Sequence, residues 1–225
     1  VMKNVAGYDV SRLMAGALGT LGLITEVSLK VLPVPPGDAT LRFQLPQAEA
    51  LQRLNAWGGR PLPLNASSWS DADGGTLLLR LRGAVAAVDA ACRSLGGERI
   101  DGAEATAHWA ACREQQLPFF APAAGRDLWR LSVPQTAPVL DLPEAPFIEW
   151  HGAQRWLRAD PGQAQPLREI AARAGGHATL FRPADGRATH RFAPPVPPLD
   201  AIQRELKRQF DPAGILNPGR LHPLL

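Results

Sequence analysis

The chain has 225 residues, of which 45% are hydrophobic and 20% charged, a composition typical of a folded globular protein rather than a disordered one. Its net charge is +3, and its 24 basic residues are spread along the chain without a run of five, which argues against a nucleic-acid-binding surface. No apolar run reaches the roughly 18 residues that a membrane-spanning helix needs.

The N-terminal region combines a helical pattern, a glycine-rich stretch and an alternating pattern. Residues 9–15 carry apolar side chains at helical spacing, with Asp9 or Tyr8 near the N-cap, and predict a short helix. The stretch "GALGTLG" follows. Residues 24–32 then alternate between polar and apolar side chains, which predicts a half-buried strand. The prolines of "PVPPGD" indicate a linker, and we place a domain boundary near residue 37.

In the middle of the chain, the pattern of apolar residues changes. Strand patterns over 40–45, 64–69 and 76–82 alternate with helical patterns over 47–57 and 84–95. This β-α-β-β-α order predicts a ferredoxin-like α+β sandwich. Later patterns predict helices over 102–116, 166–174 and 198–210, and strands over 128–133, 147–151, 154–158 and 177–182, of which 147–151 and 154–158 form a hairpin.

Metal-binding patterns are missing from the sequence. Cys92 and Cys112 form no CxxC pair, and the five histidines lie far apart, so we predict no metal site. Two cysteines cannot hold an iron–sulfur cluster. We expect both to be reduced thiols on alanine-rich helices.

The glycines of "GALGTLG" have two interpretations. Backbone amides freed by glycine can cradle a phosphate, and Thr20 adds a hydroxyl donor. The stretch nevertheless lacks the ending of a Walker loop, and it leads into a strand, whereas a Rossmann fingerprint leads into a helix. Tight-turn packing explains the same glycines.

The C-terminal stretch "DPAGILNPGR" contains turn residues throughout. Asn217 precedes Pro218, which predicts an extended backbone at Asn217 and an amide side chain that could meet a ligand. A structural clamp over the core is the alternative.

The two ends of the chain together resemble a known family. "KNVAGYDVSRLMAG" with "GTLGLITEVSLKV", and "FDPAGILNPGRLHP", resemble the vanillyl-alcohol-oxidase/PCMH flavoproteins, in particular their lactate- and glycolate-oxidising branch. The combination of "MKNVAGYDVSRLMAG", "GGHATLFR" and "QFDPAGILNPGRLHP" narrows the resemblance to the FAD-binding subunits of bacterial glycolate oxidases. The resemblance implies an α+β fold, in which the second half of a PCMH-type FAD-binding domain (1–37) is followed by a ferredoxin-like antiparallel-sheet cap domain (38–182). Residues 183–225 would be a linker, a helix and a tail that return to the FAD-binding domain.

The resemblance also implies FAD as the cofactor. Residues matching the family's flavin-side positions are Gly7, Tyr8, Gly16, Gly19, Thr20, Gly22, Ile24, Asn217 and Arg220. An arginine beside a flavin can stabilise a negatively charged reduced ring or an anionic carboxylate.

The sequence departs from the family pattern at two places. Ala17 and Leu18 stand where many relatives have Ser-Glu, which removes a polar contact. Catalytic relatives carry Glu-His-Gly, whereas His177 follows a glycine here. His177 is the candidate catalytic base, with a structural histidine as the alternative. A nearby loop carries Arg182, Asp185, Arg187, His190 and Arg191, which could attract an anionic hydroxy acid or a partner, or simply be solvated.

These features lead to one functional hypothesis. The protein would belong to a glycolate oxidase complex that oxidises glycolate, a small 2-hydroxy acid, to glyoxylate, with a sister FAD-binding catalytic subunit and an iron–sulfur subunit as partners. We expect a cytoplasmic location, or attachment to the inner membrane through partners. The alternatives are an FAD-dependent D-2-hydroxy-acid dehydrogenase of the D-lactate type that works as a single polypeptide, and a non-catalytic assembly subunit.

The family's pyrophosphate-binding glycine loop precedes "KNVAGYD". We therefore expect the sequence to begin inside its FAD-binding domain, and the protein to bind FAD weakly or not at all by itself.

Overall fold

A computed structural model describes residues 9–186 and 190–221. The protein consists of two compact units, which we call the terminal unit (Val1–Leu32 with Ala188–Leu225) and the sheet unit (Pro33–Arg187). Within the described ranges, no helix has both the length and the hydropathy needed to cross a membrane.

The helices and strands give a mixed α+β fold, and the predicted fold class is confirmed. The helices are α1 (Val10–Met14), α2 (Gln47–Gly58), α3 (Val85–Leu95), α4 (Gly102–Arg113), α5 (Ala164–Arg173) and α6 (Leu199–Phe210). The strands are β1 (Gly37–Gln44), β2 (Leu64–Ser70), β3 (Thr76–Gly83), β4 (Glu98–Arg99), β5 (Asp127–Ser132), β6 (Phe147–Glu149), β7 (Gln154–Ala159) and β8 (His177–Arg182).

The strands of the sheet unit form one sheet in the order β4-β1-β3-β2-β6-β7-β5-β8. Each of its neighbouring pairs is antiparallel. The first four strands have the ferredoxin-like order, with α2 connecting β1 to β2 and α3 connecting β3 to β4. The predicted hairpin of β6 and β7 is present, with Phe147 opposite Trp156.

The core of the sheet unit lies on both faces of this sheet. Leu77, Leu79 and Leu81 are fully buried in one cluster with apolar residues of α2 and α3. The intervening Leu78 joins a second cluster with Trp109 of α4, on the opposite face. This alternation follows from the two-residue period of a strand, so one strand supplies side chains to both layers.

Both cysteines are free thiols, as we expected, with Cys92 in α3 and Cys112 in α4. Burial raises the pKa of Cys112 to about 12. Since the thiolate is the reactive form, this pKa makes Cys112 a structural residue at neutral pH.

The predicted strand over 24–32 is wrong. These residues have no regular secondary structure, and Val27, Leu29 and Val31 are 62%, 79% and 78% exposed. Alternation specifies which side chains share a face, but a strand also needs a neighbouring backbone for its hydrogen bonds. No strand in the described part of the protein pairs with this segment.

Two other elements end earlier than predicted, for a shared reason. β6 ends at Glu149 because Trp150 and His151 both have φ of 54°, in the left-handed region. α4 ends at Arg113, shortly before Gln115, whose φ is 55°. A left-handed residue cannot continue a strand or a right-handed helix.

Candidate functional site

The glycine-rich loop after α1 is compact and bonded to itself. Asp9 caps α1, since its Oδ1 accepts a hydrogen bond from the Arg12 amide at 3.0 Å. After the helix, Thr20 turns back, and both its amide and its hydroxyl donate to the Ala17 carbonyl, at 3.0 and 2.7 Å. The hydroxyl hydrogen that we expected to serve a ligand is therefore used inside the loop.

The loop also has backbone amides that are not used for its own folding. Gly16, Leu18 and Gly19 all have positive φ, at 82°, 51° and 73°. Their amides donate to no other described backbone carbonyl. A Cβ at Gly16 would meet no described atom within 4 Å, so this side of the loop is open as far as the described residues extend. Such amides are suited to bind negatively charged oxygen atoms.

A cavity of about 370 Å³ adjoins the loop within the terminal unit. Gly16, Ala17 and Thr20 border it on the loop side, and Leu206 and Lys207 of α6 border it on the other.

Lys207 is the central polar residue of this unit. Its side chain is 11% exposed, and its ammonium donates to the Thr20 carbonyl at 2.8 Å, the Leu216 carbonyl at 2.6 Å and Asp211 Oδ2 at 2.6 Å. An ammonium has three donors in a tetrahedral arrangement, so these acceptors match it completely.

The carboxylate of Asp211 accepts hydrogen bonds from backbone amides that follow α6. It accepts hydrogen bonds from the amides of Ile215 at 3.1 Å and Leu216 at 2.8 Å, in addition to Lys207. The hydrogen bond from Lys207 is the main cause, with the Leu216 amide second, of a pKa for Asp211 lowered to about 2. The carboxylate is therefore ionised throughout the physiological range.

Asn217 connects the same tail directly to the glycine-rich loop. Its Nδ2 donates to the Leu18 carbonyl at 2.9 Å. The predicted extended backbone is wrong, because φ of Asn217 is 43°, a left-handed conformation that asparagine tolerates. The bond to Leu18, and a turn in which Arg220 donates to the Asn217 carbonyl at 3.2 Å, accompany this conformation. A Cβ on Gly19 would lie 2.7 Å from Asn217 Nδ2, which explains the glycine there.

We call the contacts of Lys207 and Asn217 with the loop, together with the ion pair of Lys207 and Asp211, the loop–tail clamp.

Comparisons with known proteins identify a relative that matches nearly the whole sequence. The sequence is 45% identical to glycolate oxidase subunit GlcE of Escherichia coli K12 over 222 residues, which is 99% of this chain and 59% of that protein. The chain thus spans about three fifths of the relative's length. The predicted resemblance is confirmed.

Shorter matches point to the same group of proteins as GlcE. Glycolate oxidase subunit GlcD of Bacillus subtilis is 51% identical over 39 residues, 17% of this chain and 8% of that protein. D-lactate dehydrogenase of Anaerostipes hadrus is 49% identical over 41 residues, 18% of this chain and 9% of that protein. No family model matches the sequence.

The structure brings together part of the set of residues inferred from the resemblance to GlcE-type subunits. Gly16, Gly19, Thr20 and Asn217 lie in or beside the clamp. Gly22 follows the loop, and a Cβ there would lie 3.5 Å from the Met14 side chain, an ordinary contact. Ile24 is 54% exposed and Arg220 is exposed, while Gly7 and Tyr8 lie outside the described residues.

The remaining candidate residues lie either in the sheet unit or outside the described residues. His177 is in the sheet unit, exposed, as the first residue of β8 opposite Ser132 of β5. Arg182 of the same strand donates to the Phe120 carbonyl at 3.0 Å, so it is not simply solvated. Arg187, in the arginine-bearing loop, is outside the described residues.

Sequence reasoning missed Lys207 and Asp211, although a signal was present. Lys207 is one of 3 lysines among 24 basic residues, so its presence in an arginine-rich chain is unusual. Asp211 follows at i+4, the spacing of an ion pair on a helix. Together these features could have indicated a buried pair where only a helix was predicted.

Proposed function

We propose that this protein forms one wall of the flavin site in a glycolate oxidase subunit. The observation that carries the proposal is that the amides of Gly16, Leu18 and Gly19 donate to no described backbone carbonyl, on a loop that the clamp holds to the tail. The similarity to GlcE along nearly the whole sequence supports it.

The residues present fit an FAD molecule in chemical terms. The loop amides would bind anionic oxygen atoms of the cofactor, and the open side of Gly16 allows close backbone approach. Arg220 supplies an exposed positive charge for the flavin ring or a substrate carboxylate. Gly7, Tyr8, Gly22 and Ile24 complete the proposed set. When bound, FAD would accept the hydride equivalent removed from the hydroxy acid.

The proposal assigns roles to the rest of the protein as well. Residues 1–37 and 183–225 would belong to the FAD-binding domain, and residues 38–182 to the cap domain. His177, exposed at the beginning of β8, is the proposed base for the hydroxyl proton of a 2-hydroxy acid such as glycolate. The partners would be a sister FAD-binding catalytic subunit and an iron–sulfur subunit that takes the electrons, in the cytoplasm or at the inner membrane through those partners.

In one alternative function the cofactor is the same, but the protein works without partner subunits. The short match to D-lactate dehydrogenase favours, as the second candidate, a D-2-hydroxy-acid dehydrogenase that works as a single polypeptide. Turnover of glycolate or D-lactate in the absence of any partner subunit would support this alternative. A third candidate, the assembly subunit, requires that Asn217→Ala leaves the activity of the complex unchanged.

The flavin-site proposal can be tested on the isotope-labelled protein even if its affinity is low. Titration with millimolar FAD should shift the amide NMR signals of Gly16, Leu18 and Gly19, together with the side-chain amide of Asn217. Asn217→Ala should reduce these shifts, whereas Asn55→Ala in α2 should not. Shifts confined to the sheet unit, or no shifts at all, would contradict the proposal.

A further inference from the structure

The half of the sheet formed by β7, β5 and β8 presents two different faces. Leu131 and Leu157 lie on one face, where they pack with apolar side chains of α5. On the other face, the strand register places Arg130 of β5 between Trp156 of β7 and Thr179 of β8. Residues opposite each other in an antiparallel pair share a face, so these three side chains lie side by side.

Arg130 is half-buried, but its guanidinium has no hydrogen bond, ion pair or ring contact with any described residue. Each of the other buried or half-buried arginines in the described ranges interacts with at least one polar, charged or aromatic group. Nε of Arg130 is itself buried, so the two terminal nitrogens are the accessible end of the side chain. A charge partly removed from water is costly without a partner, and a bound anion would supply one.

The acidic side chain that β5 to β8 carry on this face does not neutralise Arg130. Glu149 of β6 accepts hydrogen bonds at Oε2 from Trp156 Nε1 at 2.7 Å and from Gln154 Nε2 at 3.1 Å. These bonds hold its carboxylate to β7, and no ion pair joins it to Arg130.

Further positive charge lies at one end of the same face. Arg158 of β7 and Arg182 of β8 are both opposite Leu128, the residue two positions before Arg130. They donate hydrogen bonds to backbone carbonyls in 119–121. Burial is the main cause, with the charge of Arg182 second, of a lowered pKa for Arg158. The two arginines therefore repel each other, and the charge around Arg130 favours an anion.

Three other polar side chains adjoin Arg130 and are not used by the fold. Thr179 is opposite Arg130, and Ser132 and His177 form the next pair along the two strands. None of the three side chains has a hydrogen bond to a described residue. Hydroxyl and imidazole groups can both donate and accept hydrogen bonds, so they can bind a polar ligand beside the guanidinium.

We propose that Arg130, Ser132, His177 and Thr179 bind a small 2-hydroxy acid, with the carboxylate at Arg130 and Thr179 and the hydroxyl at His177. The inference rests on the proposed function for the class of ligand. Arg130 and His177 are diagonal neighbours on adjacent strands, about 7–8 Å apart at the backbone. A two-carbon acid with a hydrogen bond of about 2.8 Å at each end spans a similar distance. The terminal nitrogens of the guanidinium suit a bidentate contact with the carboxylate.

A matched ligand pair tests the role of the charge on the whole protein. Glycolate and glycolamide have nearly the same size and the same hydroxyl, but only glycolate carries a carboxylate. In NMR titrations with millimolar ligand at constant ionic strength, glycolate should shift the amide signals of Arg130, His177 and Thr179. Its affinity should be at least about tenfold higher than that of glycolamide, because its hydrogen bonds to the guanidinium join two charged groups.

Two arginine substitutions separate the contact at Arg130 from a general effect of net charge. Arg130→Gln should abolish the preference for glycolate over glycolamide, and it should leave the fold intact because the guanidinium has no described partner to lose. Arg173→Gln makes the same change in net charge at an exposed position of α5, which packs on the other face of the sheet. This control variant should bind glycolate like the native protein.

Acetate separates the hydroxyl contact from the carboxylate contact. The native protein should bind acetate, which lacks the hydroxyl, about fivefold more weakly than glycolate. His177→Ala should make the two acids bind equally. His177 is the exposed first residue of β8, so this substitution should leave the sheet intact.

The outcomes distinguish this proposal from the flavin-site proposal, because the glycolate titration needs no FAD. The Arg130 proposal is overturned if glycolate shifts none of the three amide signals, if glycolate and glycolamide bind equally, or if Arg130→Gln and Arg173→Gln give the same affinity. Glycolate binding that depends on Arg130, without any response of the loop amides to FAD, would support this site and contradict the flavin site.

Discussion

The two units of this protein are stabilised by different kinds of contact. In the sheet unit, Leu79, Leu131 and Leu157 are fully buried among other apolar side chains. In the terminal unit, Ala17 is the one buried apolar side chain among the described residues, and it is accompanied by buried polar groups, among them Lys207. Hydrophobic burial is non-directional, whereas hydrogen bonds specify positions of individual atoms. The clamp therefore determines where the loop backbone lies, which is what a binding loop requires.

The largest expected effect is on the free energy of unfolding, and it differs between a buried leucine of the sheet unit and an exposed leucine of the terminal unit. Leu79→Ala should lower the free energy of unfolding by about 2–5 kcal/mol, because it leaves a cavity in a closed core. Leu199→Ala in α6, where the side chain is 54% exposed, should change it by less than about 0.5 kcal/mol. All 6 tryptophans lie in the sheet unit, so urea unfolding followed by tryptophan fluorescence reports on that unit. Equal effects of the two substitutions would contradict the distinction.

The second prediction concerns a substitution at Lys207, the central residue of the clamp. Lys207→Met should return the pKa of Asp211 from about 2 towards its ordinary value, because the main hydrogen bond to the carboxylate is lost. Titration of the Asp211 carboxyl carbon by NMR measures this change directly. The tryptophan unfolding transition should stay unchanged, since the sheet unit contributes no part of the clamp.

The sign of the pH dependence follows from the same pKa. A lowered pKa in the folded state means that Asp211 stabilises the clamp above its ordinary pKa, and that this stabilisation is lost as the pH falls towards about 2. The amide signals of Ile215 and Leu216 should follow this titration. Lys30→Met, at the other lysine among the described residues, is the control and should leave the pKa of Asp211 low.

The smallest expected effect concerns a single contact in the loop. Gly16→Ala and Gly19→Ala both place a side chain at positive φ, which costs up to about 1–2 kcal/mol of strain. Only the Gly19 substitution also crowds Asn217, at 2.7 Å. Gly19→Ala should therefore move the NMR signal of the Asn217 side-chain amide, which bonds to Leu18, and Gly16→Ala should not. Identical spectra for the Asn217 amide in the two variants would show that the contact is unimportant.

Much of the sheet unit could be predicted because local patterns and tertiary structure agree there. The run of leucines in 76–82 specifies a strand with two buried faces, and the β-α-β-β-α order specifies the ferredoxin-like arrangement of the first four strands of the sheet unit. Residues 24–32 show the limit of the same reasoning. Their polar and apolar side chains alternate regularly, but a strand also depends on a pairing partner, which no local pattern contains.

The glycines, the tail turns and the resemblance were readable from the sequence alone, since each depends on residue identity at short range. What only the tertiary structure decided is how these segments meet. Lys207 lies 187 residues from Thr20, and it becomes central because folding brings both to the same place. The left-handed turn at Trp150 and His151 is a similar case, because a buried arginine and a serine hydroxyl from another strand hold it. Contacts of this kind depend on the whole fold, whereas sequence patterns record only local preference.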